Sequence, residues 1–548
     1  MANPIVFRRN LDVGAADAES DDLYLANCFV DTGDLQILKD CSDPKCLILG
    51  RTGSGKTALL KQVLKAPFAV DLSPEDLALN YITNSQVLKF FEAAGVHLDV
   101  FYTLLWRHII TVELLKLKYG ITNQEKQNFF LKKIGQMFDR NETKTKALKY
   151  LSDWGSRFWE ETEYRTKEFV RKLETDLKGA VKIDAKYIAL GAEGARKLTE
   201  EERIEVHSYG TRVVNGVQVK ELHDVINLLS EDIFTDPQQA HYVVIDRLDE
   251  DWVDDSIRFK LIKALIEALR TFKRVRYVKV IVALRMDLHF RVLRETPQPG
   301  FQEEKYRSLY MEMKWTRQQL EKMLNDRVTF MFRRQYTREG VRLSDILPGN
   351  QIDQRSSLEY ILDRTFFRPR EAIIFLNACL AKAEGKSKIT VGLLKQAEMI
   401  YSQQRFVSLA DEWRRDYPNL QKAALLLLEK RVTPFTPKEI STEDCEKLSL
   451  SILEDKHEDA IKRCCEAHYL ANNKTTEVDF LRCILAIFYQ VGLIGVKAEA
   501  HLSRSWSFMD EPVLEQGQIH ETSIIDVHKT FWAALGVTTR DKRASSSL

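Results

Sequence analysis

A chain of 548 residues is too long for a single compact core, so several domains are expected. Hydrophobic residues make up 44% and charged ones 29%, the balance of an ordinary globular protein, which excludes a largely disordered or low-complexity one. With 81 basic against 80 acidic side chains, no global field draws it to nucleic acid or anionic lipid, so any such contact needs a local patch.

The opening MANPIVFRRNLDVG lacks the apolar core of a signal peptide, and no apolar run approaches the roughly 20 residues that cross a bilayer. The chain therefore reads as soluble and cytoplasmic, without a membrane partner. Residues 1–45 form an N-terminal segment with no catalytic signature, packing either beside a nucleotide base or as a simple sheet-edge extension.

Cys46 to Leu49 are a short apolar run that predicts a strand, and the sequence from Lys56 onward predicts a helix. Between them Gly50, Gly55, Lys56 and Thr57 satisfy GxxxxGK[ST], and Thr52, Gly53 and Ser54 complete the loop. The glycines allow backbone turns that aim consecutive N–H groups at phosphate oxygens, and the helix N-terminus adds partial positive charge. Lys56 can reach the β- and γ-phosphates, and the Thr57 hydroxyl can ligate Mg²⁺. A chance match is expected only about once in a hundred such sequences, so ATP with Mg²⁺ is the expected ligand pair.

A mainly helical insertion is predicted over about 100–235, because one helix and one or two strands need far less chain than separates Thr57 from the next strand. It contains the apolar-spaced VFYTLLWRHIITVELLKL, a charged stretch at 156–181, and a glycine-interrupted region from Gly191 that suggests a loop or small hairpin. In AHYVVIDRLDEDW, Tyr242 to Ile245 form a buried-type strand with Asp246 at its C-terminal end, where open α/β sheets place ligands. Asp246 is thus the expected metal partner of Thr57. Arg247 stands where a water-activating acid commonly follows, which moves that role to Asp249 or Glu250. An amphipathic helix over Ser256 to Phe272 then leads to RYVKVIVALRMDL, a strand ending in Arg285 and Asp287.

Residues 301–408 read as a helical lid. Within it Arg333, Arg334 and Arg338 are candidates for an arginine finger, although a solvated face is the simpler reading, and Pro369 suits the first turn of a helix through Phe375 and Leu380. Residues 409–537 combine helices with FLRCILAIFYQVGLIGVK, SRSWSFMDEP and SIIDVHKTFWAALGV, the pattern of helices followed by a two-stranded wing. Arg482 and Lys497 are sparse charge for a DNA-reading helix. Residues 538–548 suggest a disordered tail. The eight cysteines show no CxxC or zinc spacing and read as reduced thiols, with Cys464 and Cys465 packing a helix.

The order of P-loop, IDRLDEDW strand, VIVALRMD strand, helical segment and FFRPRE resembles the AAA+/STAND-like P-loop ATPases, including origin-recognition-type ATPases and bacterial ATPases associated with anti-phage defence. The resemblance implies an α/β P-loop NTPase core with a parallel sheet, a helical lid and a winged-helix-like appendage. It puts Arg285 at the sensor-1 position near the γ-phosphate, and Arg368 or Arg370 at the lid position that contacts nucleotide. It implies an ATPase working as a homo-oligomeric switch or motor, with a separate effector protein as a candidate partner. A DNA-binding initiator using the winged helix and a non-hydrolysing ATP-dependent scaffold are the alternatives. Nucleic acid is a candidate partner that charge does not indicate.

Overall fold

The computed structural model describes residues 6–74, 86–120, 171, 175, 185–216, 223, 226–250, 252–253, 255–296, 303–336, 340–470, 477–510 and 513–540. The chain divides into two compact units, one of residues 31–52 and 56–313, the other of residues 1–30, 53–55 and 314–548. The stretch expected as one N-terminal segment is thereby shared between them.

In the first unit, strands β1 (Leu47–Gly50), β2 (Ala69–Asp71), β3 (His241–Ile245), β4 (Val278–Arg285) and β5 (Tyr310–Glu312) form one sheet in the order β2-β3-β4-β1-β5. Every pairing is parallel. The three central strands are buried almost throughout, as continuous Val/Ile/Leu runs require when helices cover both faces of a sheet. Parallel neighbours need crossovers, and the helices Lys56–Val63 and Asp255–Phe272 supply them after β1 and β3. This is an α/β core of the P-loop type. Register sets Gly50 beside Arg285, and Ile245 beside Val282 of the same β4. The C-terminal ends of β1, β3 and β4 therefore share one edge, with β4 between the loop strand and the Asp246 strand.

The helix Asp99–Tyr119 opens the region expected as an insertion, yet it is buried along most of its length and packs into the sheet's own core. Its Trp106 indole donates to the Leu261 carbonyl at 2.8 Å, tying it to the helix after β3. Where a loop or hairpin was expected from the glycines, residues 200–216 are helical. The cause is an N-terminal capping pair: Thr199 N–H donates to Glu202 at 2.9 Å, and Glu202 N–H donates to the Thr199 hydroxyl at 3.3 Å. Of the charged stretch at 156–181, only residues 171 and 175 lie among the described residues.

In the second unit the helices Arg317–Tyr336, Ser357–Leu362, Pro369–Lys382 and Val391–Glu412 share an apolar core with residues from the chain's start, Phe7, Leu11 and Val13 among them. That start is fastened by polar contacts too. Phe7 and residues 385–386 exchange backbone hydrogen bonds at 2.9 Å, Val13 N–H donates to Asn377 Oδ1 at 2.9 Å, and Asp21 forms a buried ion pair with Arg327.

Farther on, the helices Leu420–Leu428, Thr442–Leu453, Ala460–Leu470 and Glu477–Val491 surround a separate apolar cluster. Strand β7 (Ile494–Lys497) pairs antiparallel with β8 (Ile524–Val527). Over the described residues, the expected strand in SRSWSFMDEP is reduced to a bridge between Ser505 and Val496; residues 511–512 lie outside them. The Trp506 ring lies across Gly495, where a Cβ would come within 2.6 Å of it, and Asp510 accepts from Trp506 N–H at 2.8 Å, which turns the chain. Thr538–Thr539, at the head of the stretch expected as a disordered tail, instead form β9 and pair with β6 (Val432–Thr433); residues 541–548 lie outside the described ones. Cys464 and Cys483, read as thiols, face each other across consecutive helices with their Cα atoms 6.4 Å apart and their sulfurs in contact. Among the described residues no helix is long and apolar enough to cross a membrane.

Candidate functional site

The loop after β1 leads into the helix that begins at Lys56. Gly53 and Gly55 have φ of +78° and +96°, left-handed values that a Cβ makes costly. Lys56 curls back over the loop, donating to the carbonyls of Gly50 at 2.9 Å and Arg51 at 3.1 Å. Burial pushes its ammonium down to about 8, against the pull of the Asp246 and Asp249 carboxylates.

Beside it, the Thr57 hydroxyl donates to Asp246 Oδ2 at 3.0 Å. The other oxygen, Oδ1, accepts from Arg247 N–H at 2.9 Å. Arg247 adopts φ +61°, the left-handed region that non-glycine residues seldom occupy. That turn folds the chain directly off the strand, exposes the Arg247 side chain and sends Leu248 into the core. Burial raises the Asp246 carboxyl above its usual range, while the Arg247 N–H, the Thr57 hydroxyl and the Lys56 charge pull it back.

Asp249 and Glu250 are exposed on the following turn. Its carbonyls are held from beneath by the buried Arg258, which donates to Glu250 O at 2.9 Å and Asp249 O at 3.4 Å. Arg285 makes a two-pronged contact with Asp287, at 2.7 and 3.1 Å, and reaches Asp249 at 3.4 Å. Arg285 and Asp249, both candidates from the sequence, thus touch each other. Asp251 and Asp254 lie outside the described residues.

The apex Gly53–Gly55 clusters with the second unit. Trp315 donates its indole N–H to Ser54 O at 2.8 Å, and Arg370 N–H donates to Gly53 O at 3.4 Å. A Cβ on Gly53 would meet the Arg370 Cβ at 2.7 Å. Gly53→Ala therefore combines a φ penalty of about 1–2 kcal/mol with a clash. It is expected to weaken ATP binding and lower the unfolding temperature together, measurable by titration and calorimetry; an unchanged variant counts against the close approach.

The two lid arginines separate. Arg370 has its Nε on the Ala16 carbonyl at 3.2 Å, while Arg368 is 5% exposed, ion-paired to Glu371 at 3.9 Å and set over the Phe366 ring at 5.0 Å. Arg368, expected as a nucleotide contact, is buried among the helices of this unit. Phe366 and Phe367 both take positive φ, 48° and 51°, so the turn ahead of Pro369 is strained, and Phe366 is stacked on His528 at 4.2 Å. Arg333 and Arg334 are exposed near the end of their helix, and Arg338 lies outside the described residues.

Residues 318–410 match the model of the FunZ-associated C-terminal helical domain. The matched segment is a minority of the chain and holds Arg368 and Arg370, but not Trp315 or the loop. Among solved structures, the Walker-type ATPase PABY2304 of Pyrococcus abyssi aligns over 95% of this chain and 97% of its own, at 11% identity and a TM-score of 0.33. No curated protein matches the sequence.

The residues present fit ATP and Mg²⁺. Ser54 Oγ is buried with no hydrogen-bond partner among the described residues, a polar atom left over in the loop. Thr57 and Asp246 present hard oxygen donors side by side, and a cation there would offset the cost of burying the Asp246 charge. One hydroxyl and one carboxylate side by side suit Mg²⁺ in its usual mode, with one or two carboxylates completed by phosphates and water. Trp315, Arg258 and the Ala16 carbonyl were missed in the sequence, and no local pattern marks them.

Proposed function

We propose that the chain binds ATP with Mg²⁺ at Gly50–Thr57 and Asp246 and hydrolyses it, acting as a homo-oligomeric switch or motor. The observation that carries this reading is the Thr57 hydroxyl on Asp246 at 3.0 Å, which joins the last residue of a GxxxxGK[ST] motif to a strand end 189 positions further along the chain. Mg²⁺, when bound, neutralises charge on the β- and γ-phosphates. Lys56 exchanges its loop carbonyls for phosphate oxygens, the loop N–H groups cradle the phosphates, and Asp249 or Glu250 orients water. Arg285, steadied by Asp287, stands beside Asp249 as the group that registers loss of the γ-phosphate.

Phosphate release by the purified chain, with its mass measured with and without ATP and Mg²⁺, tests the reading. Turnover that Asp246→Asn abolishes, with an ATP-dependent rise in mass, is the expected result. ATP binding with no turnover would leave the non-hydrolysing scaffold, and a mass indifferent to ATP would remove the oligomeric switch. The likeness to bacterial ATPases of anti-phage defence makes phage challenge of cells carrying the gene the test of setting, with protection lost in Lys56→Ala.

Affinity for ATP should also depend on pH with a definite sign. The Lys56 ammonium of the empty chain is lost as pH rises through about 8. Affinity is therefore level below that value and falls above it, approaching tenfold per pH unit as one proton must be regained. Titrations from pH 6 to 10 check this; an affinity that strengthens above pH 8 contradicts it.

A further inference from the structure

The parallel sheet has two ends, and the loop with Asp246 occupies only one. At the other, where β4 and β5 begin, lies a cavity of about 790 Å³. Among the described residues, five cations line it, Arg107, Arg270, Lys273, Arg274 and Lys305, against one carboxylate, Glu267. In a chain whose formal net charge is +1, an excess of four positive charges around one cavity is a strong local concentration. Since β4 runs from Val278 to Arg285, its length of about 23 Å at ~3.3 Å per residue separates this cavity from the P-loop edge.

Ordinary helix stabilisation covers part of this charge. Cations in the last turn of Asp255–Phe272 and just beyond complement its exposed carbonyls, which accounts for Arg270, Lys273 and Arg274. It does not account for Arg107, from the middle of the Asp99–Tyr119 helix, or Lys305, from the turn ahead of β5. Three separate parts of the unit converge. None of the five cations has an ion pair within 4 Å among the described residues. Arg270 stands over the Tyr306 ring at 5.4 Å, and Arg107 Nε is buried without a hydrogen-bond partner among the described residues. Glu267 is engaged by the Thr103 hydroxyl at 3.2 Å, and burial raises its carboxyl, so it is a weak counter-charge. Burial and the nearby Arg274 both depress Arg107, which only Glu267 offsets.

We propose that this cavity is a second anion site, which binds a small ligand carrying several phosphates, at the end of the sheet opposite the P-loop. Its volume is that of a small-molecule pocket, and four surplus charges from three elements match a compact polyanion better than a single phosphate. The Arg107 guanidinium at its wall is the group a phosphate oxygen would satisfy.

Tripolyphosphate is the probe, titrated calorimetrically into the full chain. In a Lys56→Ala background, where the P-loop is impaired, one equivalent should still bind, more weakly as salt is added. Adding Lys273→Glu and Arg274→Glu, both on exposed side chains, should weaken that binding at least about 30-fold by replacing attraction with repulsion. The same pair of substitutions in the parent chain should leave ATP binding at the P-loop intact, which shows that the variant folds. If that variant does not fold, Lys305→Ala alone should still weaken the probe several-fold. Undiminished binding in the folded charge-reversed variant, or no binding in Lys56→Ala alone, overturns the proposal. So does a single-stranded oligonucleotide that binds more tightly than tripolyphosphate and is lost with the same substitutions, because the site would then follow a nucleic-acid backbone.

Discussion

Lys56→Ala should weaken ATP binding by about 10- to 150-fold, the equivalent of a hydrogen bond to a charged group at ~1.5–3 kcal/mol. Turnover should fall by about a further hundredfold, as when one preorganised charge is removed from a developing transition state. The apo protein should behave differently. In the empty loop the ammonium is bonded to the Gly50 and Arg51 carbonyls, but its affinity for a proton is pushed down to about 8, so folding holds that charge where it is costly. Its removal should leave the unfolding temperature unchanged or slightly higher, while the stabilisation by added ATP disappears. Thermal unfolding with and without ATP and Mg²⁺ separates these effects. A Lys56→Ala protein that turns over ATP at the parent rate would sink the site assignment, and one that simply unfolds earlier would make Lys56 structural.

The parts of this site legible in sequence are those whose chemistry is local. The loop, the helix after it and the apolar runs ending at Asp246 and Arg285 each lie within a few residues, and the parallel sheet then brings their ends to one edge. What escaped depends on pairs distant along the chain. Trp315 reaches Ser54, Arg370 reaches Ala16, and Cys464 reaches Cys483, none of them signalled by spacing. Arg368 and Arg370 show how fine the limit is. They flank Pro369 at the start of one helix, Arg368 as its N-cap, and a separation of two residues turns them to different sides. FFRPRE cannot show which faces the loop apex and which faces the core. The glycines near residue 200 misled in the opposite way, because the capping pair of Thr199 and Glu202 and three acidic residues in the first turn favour helix there.

That division between the two arginines has a large energetic consequence. Glu371 is 1% exposed, accepts from the Tyr401 hydroxyl at 2.7 Å, and is ion-paired to Arg405 at 2.7 Å and Arg368 at 3.9 Å. Both arginines are themselves almost fully buried. Glu371→Ala removes the carboxylate ion-paired to Arg405 and leaves Glu412 as the acid acting on both arginines, and breaking a buried pair in this way costs about 3–5 kcal/mol. The expected result is the largest stability loss of any single substitution considered, seen as an earlier unfolding transition in denaturant. Glu371→Leu combined with Arg405→Met should recover much of it, because removing both charges together spares the desolvation that one alone must bear. Arg368→Met supplies the opposing test. If Arg368 belongs to the core, this variant changes unfolding while ATP affinity stays within about twofold, since no nucleotide contact worth even ~0.5 kcal/mol is lost. A selective loss of ATP affinity in a protein of parental stability would return Arg368 to the nucleotide and leave Arg370 as the bracing residue.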